Sequence, residues 1–328
     1  MTTRFALGLL RALFWFQDLV WRSRRHRPAA PPPAPESDSA ADESKGYLVV
    51  GDGVRLCYRC WLSNSVERPR WVIGCIHGIA AHGRHFRVVG ERLSPIGAAV
   101  YAFDLRGHGL SEGERGDLSD MRRILADLAD MVCFLAASHP GSPVLLWGES
   151  AGGPLVVKYA AESPQGLAGI ILSCPQFRPT VGAGGGEMLW HLPLLLFRPR
   201  ERAVDMTSRL YLCNREKADV ERERADPLRH NRISARSLAA VYSVIAEANR
   251  LAPKIELPTL ILQGGHDLVT DPGAAAEFHR RLGTLPSQKR LVIIPEAWHG
   301  LLHDPDTSKV LDAAAEWLEG LPGRDQPL

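Results

Sequence analysis

Trp71-Val72-Ile73-Gly74-Cys75-Ile76 carries no charge, and short apolar runs of the same kind return at Ala98 to Phe103, Val144 to Trp147, Leu167 to Leu172, Leu260 to Leu262 and Leu291 to Ile294. Runs of that length without polar alternation predict strands buried on both faces, as in a parallel sheet. Between two of them Met121, Ile124, Leu125, Leu128, Met131, Val132 and Leu135 recur at helical spacing, which predicts a long amphipathic helix. Tyr47 to Val50, a turn at Gly51-Asp52-Gly53 and Leu56 to Leu62 predict a hairpin in front of the first buried strand. The expected class is α/β, a mainly parallel central sheet flanked by helices.

Two stretches break the rhythm. From Pro175 to about Arg236, Gly182 to Gly186 lead into the apolar run Met188 to Phe197, and a highly charged segment follows from Arg215 to Arg224. Pro193 and the lack of alternation disfavour a strand, so residues 175–236 are expected as an inserted cap or lid, the alternative being a helix buried on the domain. At the N-terminus, Phe5, Leu9, Leu13, Phe16 and Val20 belong to a dense apolar segment in which Arg4, Arg11 and Asp18 recur every seventh residue. On a helix those charges form one narrow stripe, so residues 1–27 are expected to anchor the chain at a bilayer interface. Spanning the bilayer would cost roughly 2.5 to 3.5 kcal/mol for each charge near the centre. The remaining alternatives are packing on a partner or on the domain, and, ranked last, a cleaved signal, because Arg11 interrupts the apolar region. Residues 28–46, Pro-rich and then acidic, read as a linker, leaving 47–174 and 237–320 for the core.

Composition narrows the partners. With 39 Lys and Arg against 37 Asp and Glu, the charge is nearly balanced, which argues against nucleic acid. The basic cluster Arg22 to Arg27 follows the apolar segment and reads as a membrane-surface signal. The six cysteines have no disulfide-framework spacing. Cys57 and Cys60, three apart on a predicted strand, point to opposite faces and do not make a metal site. The expected setting is the cytoplasm, peripheral at a membrane, and protein partners are not legible.

The chemistry lies where strands end. Val144 to Trp147 runs into Gly148-Glu149-Ser150-Ala151-Gly152 and then an apolar helix, so Ser150 sits on a tight strand-to-helix turn whose flanking glycines permit close packing. A second Gly-x-Ser-x-Gly, Gly109 to Gly113, has neither a buried strand immediately before it nor a helix after it, and Ser111 reads as a loop residue. Asp267 and His299 each follow a later strand, completing the order nucleophile, acid, histidine along one sheet edge. Taken singly, Asp267 could be a cap, and His299 with His303 could be metal ligands, but no third ligand presents itself. The loop after Ile76, His77-Gly78-Ile79, is placed to supply an oxyanion-binding amide from Ile79 beside that of Ala151. His77 and His82 read as loop-positioning residues. No cofactor and no metal are expected.

His77-Gly78, Asp104-x-x-Gly107-His108-Gly109-x-Ser111-x-Gly113, Gly148-x-Ser150-x-Gly152, Gly264-x-x-Asp267 and His299 together resemble the monoglyceride lipase and lysophospholipase branch of the α/β-hydrolases. The resemblance runs from about Tyr47 to Leu318 and includes the segment from Asn214 to Leu228 that closes the cap. It implies triad roles for Ser150, Asp267 and His299, and oxyanion roles for Ile79 and Ala151. The implied activity is hydrolysis of long-chain carboxylic esters, monoacylglycerol or lysophospholipid; a general carboxylesterase, an acyltransferase and a non-catalytic membrane-associated binding protein are the alternatives. One departure stands out: Ala80 and Ala81 occupy the places of a Gly and a Glu in the family's His-Gly-x-Gly-Glu-His.

Overall fold

A computed structural model describes residues 43–62, 68–180 and 185–321. Eight strands form one sheet in the order β1 (Glu43–Val49), β2 (Arg55–Trp61), β4 (Ala98–Phe103), β3 (Trp71–Ile76), β5 (Val144–Glu149), β6 (Leu167–Ser173), β9 (Thr259–Gly264) and β10 (Lys289–Ile294). β2 pairs antiparallel with β1 and with β4, and every other pairing is parallel. The chemistry-bearing strand ends of β3, β5, β9 and β10 therefore share one edge.

The pleat divides the core. Val72 and Ile76 of β3 face the cluster built with α2 (Met121–Ser138), α3 (Gly152–Glu162), α7 (Ala235–Leu251) and α8 (Pro272–Arg281). Trp71, Ile73 and Cys75 face the opposite cluster, with α1 (Arg87–Leu93) and α9 (Thr307–Glu319). Burial on both faces explains why these strands read as continuous apolar runs. The helices begin where the side chains can cap them: Asp120 Oδ1 accepts from Arg123 N at 3.1 Å, and Ser234 Oγ accepts from Ser237 N at 3.1 Å. Cys57 and Cys60 fall in different clusters, on opposite sides of β2, and all six cysteines are free.

The insertion between β6 and α7 comprises α4 (Gly185–Phe197), β7 (Val204–Asp205), α5 (Leu210–Cys213), α6 (Lys217–Ala225) and β8 (Arg232–Ile233), with β7 and β8 paired antiparallel. Its apolar run is helical despite Pro193. Leu195 packs with Val204, Met206, Ile233 and Leu238 over Ala80, while Leu196 and Phe197 are 46% and 78% exposed. One boundary differs from the expectation: β1 starts at Glu43, inside the stretch read as linker. Polar residues enter the sheet there because an edge strand needs only backbone partners, Glu43 pairing with Trp61, and Arg59 Nε lies 3.4 Å from the Glu43 carboxylate. The expected anchor, residues 1–27, and most of the linker lie outside the described residues. Among the described residues no helix is long and apolar enough to cross a membrane.

Candidate active site

β5 ends at Glu149 and α3 begins at Gly152, so Ser150 turns the chain with φ +50°. The turn is possible only with glycines around it: a Cβ on Gly148 would lie 2.6 Å from Gly152 O, and one on Gly152 would lie 2.3 Å from Ile76 O. Ser150 N donates to Ser173 O at 3.0 Å, and Ser150 O accepts from Gln176 N at 3.0 Å, which ties the elbow to the end of β6. Ala80, Ser150 and Cys174 are the non-glycine residues with positive φ among the described residues, and all three lie at the ends of β3, β5 and β6 beside this turn.

The three strand-end side chains expected to meet are brought together. Ser150 Oγ donates to His299 Nε2 at 2.8 Å, and His299 Nδ1 donates to Asp267 Oδ2 at 2.8 Å. Asp267 also accepts from Gln263 Nε2 at 3.0 Å, Val269 N at 2.8 Å and Thr270 N at 2.9 Å. Burial alone would raise the Asp267 pKa, but the His299 charge and these donors hold it below the usual carboxylate value. Burial would likewise lower His299, and the charge and hydrogen bond of Asp267 outweigh it, so its pKa lies above 6.5. Glu149 is pushed up to about 7 by burial, opposed by the nearby His299.

The loop after β3 reaches the serine because Gly78 lies against it; a Cβ there would be 3.0 Å from Ser150 Cβ. Leu105 N donates to His77 Nε2 at 3.0 Å and His77 Nδ1 donates to Gly78 O at 2.8 Å, so a buried imidazole joins this loop to the end of β4. The Ile79 and Ala151 amides have no hydrogen-bond acceptor among the described residues. Across the loop, His82 Nε2 donates to Asp226 Oδ2 at 2.9 Å, a contact between core and insertion. Ser111 is turned away from all this: it is fully buried, donating to Asp104 O at 2.6 Å and accepting from Cys57 N at 2.8 Å.

His77, His108 and His230 form a buried row, with ring centroids 5.4 and 4.8 Å apart. Burial lowers all three pKa values, His77 and His230 to about 4. A folded-state pKa below the unfolded 6.5 means stability that is complete above 6.5 and is lost as pH falls toward 4. The urea midpoint is expected to be flat above neutrality and to fall across that window. A His108→Asn variant is expected to fall less steeply, and an unchanged slope would show that this row does not govern the acid limb.

Nothing in the local sequence of Gln263 or Cys174 marks a contact with Asp267, whereas Asp104, part of the motif that carries the resemblance, reaches the loop after β3 by accepting from Gly83 N at 2.6 Å. Cys174 Sγ accepts from Gly264 N at 3.4 Å and Gln263 Nε2 at 3.7 Å, directly behind Asp267.

The profile of the family described as serine aminopeptidase, S33 matches residues 67–306. The chain belongs to that family. Among its relatives, the monoacylglycerol lipase of Mycolicibacterium smegmatis is 26% identical over 85% of this chain and 98% of its own length. The human monoglyceride lipase is 29% identical over 78% of this chain and 83% of its own. The crystal structure of the Paleococcus ferrophilus monoacylglycerol lipase superposes with a TM-score of 0.69 at 26% identity, covering 82% of this chain and 99% of that one. A monoglyceride lipase from Saccharomyces cerevisiae, at 23% identity, TM-score 0.74 and coverage of 88% and 98%, shares the fold. This S33-family chain is thus an α/β-hydrolase and a carboxylic ester hydrolase, as the motifs led one to expect.

Proposed function

We propose that the protein hydrolyses long-chain carboxylic esters, monoacylglycerol first among them, through an acyl-enzyme on Ser150. The observation that carries this reading is the unbroken relay from Ser150 Oγ through His299 to Asp267, both links at 2.8 Å. Ser150 Oγ attacks the ester carbonyl while His299 Nε2 takes its proton, and Asp267 stabilises the imidazolium that results. The carbonyl oxygen, now negative, accepts from the Ile79 and Ala151 amides, which have no other acceptor to give up among the described residues. The leaving alkoxide takes the proton from His299, and water then attacks the acyl-enzyme by the same route in reverse. An acyl chain suits the apolar cluster of Ala80, Leu195, Met206 and Leu238, which Ile79 joins at its edge.

The same reading places the enzyme in the cytoplasm, peripheral at a membrane. Residues 1–27 supply the amphipathic anchor, and the exposed Leu196 and Phe197 of the cap face the lipid. Lipases named as relatives act on monoacylglycerol, and that substrate comes to this chain as part of the proposal.

The test is a substrate panel: monoacylglycerol, lysophosphatidylcholine, triacylglycerol, a short p-nitrophenyl ester and an aminoacyl p-nitroanilide. Monoacylglycerol is expected to turn over fastest and the anilide not at all. If only the short ester reacts, the lipid assignment falls; if the anilide leads, the protein is a peptidase.

A further inference from the structure

We infer that Arg215, a residue of the cap, is a positioning residue for His299, so that the cap and the histidine are held as one unit. The need for such support follows from the topology. His299 lies on the loop after β10, a half-exposed edge strand paired among the described residues with β9 alone, yet its ring must sit between two hydrogen bonds of 2.8 Å. A loop on a sheet edge is a soft mount for a group that tolerates little displacement.

Both residues that flank His299 are tied through their backbone amides, and both ties lead to the cap. On one side Gly300 N donates to Cys213 O at 2.8 Å. Glycine suits that approach, since a Cβ on Gly300 would lie 2.7 Å from Asn214 Oδ1 and 3.2 Å from Cys213 O. On the other side Trp298 N donates to Asp304 Oδ2 at 3.0 Å. The Asp304 side chain is 1% exposed, and the cation beside it is Arg215, whose Nη2 lies 3.4 Å from Asp304 Oδ1. Arg215 Nη1 donates to Glu296 O at 3.1 Å, and its Nη2 lies 3.5 Å from Asp306 Oδ2. One guanidinium thus holds the loop before the histidine by its backbone and the loop after it through carboxylates. A planar fork with several donors suits this task, and an ammonium reaches fewer of the partners at once.

Arg215 touches neither the serine nor the histidine, so its effect passes through loop geometry. Loss of the guanidinium takes from Asp304 the cation that pairs with it and releases Glu296 O. The loop gains freedom, His299 spends less time between Ser150 and Asp267, and the bond that raises its pKa weakens. A purely structural salt bridge would lower thermal stability and leave the turnover of the folded enzyme alone.

The inference rests on the Ser150–His299–Asp267 reading, and the experiment keeps the two apart. Full-length wild type, Ser150→Ala, Arg215→Ala, Arg215→Lys, Asp304→Asn and the Arg215→Ala/Asp304→Asn double variant are compared on a short p-nitrophenyl ester across pH, with fluorophosphonate labelling and thermal unfolding in parallel. In Arg215→Ala, kcat is expected to fall about 10- to 100-fold with KM little changed, the range that a small misplacement of a reacting group produces. The labelling rate falls with it, the acid limb of the pH profile moves to lower pH, and Arg215→Lys recovers part of the loss. The double variant is no worse than the poorer single one, because both substitutions break the same tie. Should Arg215→Ala not fold, Arg215→Lys and Asp304→Asn carry the same readouts. Unaltered kcat, a defect confined to KM, or losses that multiply in the double variant overturn the inference. An active Ser150→Ala enzyme removes the triad reading itself, whereas an inactive one beside unaltered Arg215 variants removes only the clasp.

Discussion

Ser150→Ala is expected to lose nearly all ester hydrolysis, with kcat down by about a millionfold, the scale found when a triad serine is removed. The geometry explains why so little should remain. Ser150 Oγ is the group that His299 Nε2 faces at 2.8 Å, and the second Gly-x-Ser-x-Gly serine, Ser111, is fully buried with its hydroxyl bonded to Asp104 O. The alanine methyl group fits the space left by a hydroxymethyl group, and the strained φ of +50° is already set by the surrounding elbow, so the fold should persist. KM should change little because the apolar cluster of the cap is untouched. Asp267→Asn is the companion variant: it keeps the shape but removes the charge that stabilises the imidazolium, and a loss of about ten thousandfold is expected. Fluorophosphonate labelling of wild type and its absence in Ser150→Ala reports the same residue independently of substrate. Turnover within a hundredfold of wild type in Ser150→Ala would mean that another nucleophile does the work, and the acyl-enzyme proposal would be withdrawn.

How much of this was legible in the sequence depends on the range of the interaction. The strands β3, β4, β5, β6 and β9 were legible because burial on both faces imposes uninterrupted apolar runs, a local signal, and β10 kept an apolar run from Leu291 to Ile294 although it is a half-exposed edge strand. The elbow was legible because its glycines and serine are adjacent in sequence. The partnership of Ser150, Asp267 and His299 was legible only through topology: residues that follow parallel strands gather at one edge whatever their separation. The supporting shell follows no such rule. Arg59 and Asp104, or Asp304 and Arg215, meet through tertiary packing that no spacing in the chain announces. The start of β1 at Glu43 was hidden for a related reason, since an edge strand needs backbone partners and its side chains can be polar. The apolar run of the cap carried two meanings at once, and its helix does have one side packed at Leu195 and another exposed at Phe197.

The residue with the largest expected effect on stability is Asp104. Its side chain is fully buried at the end of β4 and gathers three elements. Oδ1 accepts from Arg59 Nη1 of β2 at 3.0 Å and from Gly83 N of the loop after β3 at 2.6 Å, and Oδ2 accepts from Leu110 N at 2.8 Å. Gly109 closes over it with φ +48°, where a Cβ would lie 2.2 Å from Oδ2. Burial would raise its pKa, but the Arg59 guanidinium and the other donors keep it below the ordinary value, so the carboxylate is charged at neutral pH. Asp104→Ala leaves two buried amides without their acceptor, and leaves the buried Arg59 guanidinium, 3% exposed as a residue, with the more exposed Glu43 carboxylate at 3.4 Å. Removal of one partner of a buried pair costs about 3 to 5 kcal/mol, and in a domain of this size that corresponds to a fall in Tm of roughly 10 °C. Arg59→Met alone leaves the Asp104 charge buried with only amide donors and should also be costly. In the Asp104→Ala/Arg59→Met double variant neither charge remains, so its loss should be smaller than the sum of the single losses. Because the folded pKa is depressed, the contribution is complete at neutral pH and is lost only as pH falls through the carboxylate range. Thermal unfolding of the four proteins at neutral pH decides the matter: additive losses would mean that Asp104 acts through its backbone donors and that the ion pair with Arg59 contributes nothing of its own.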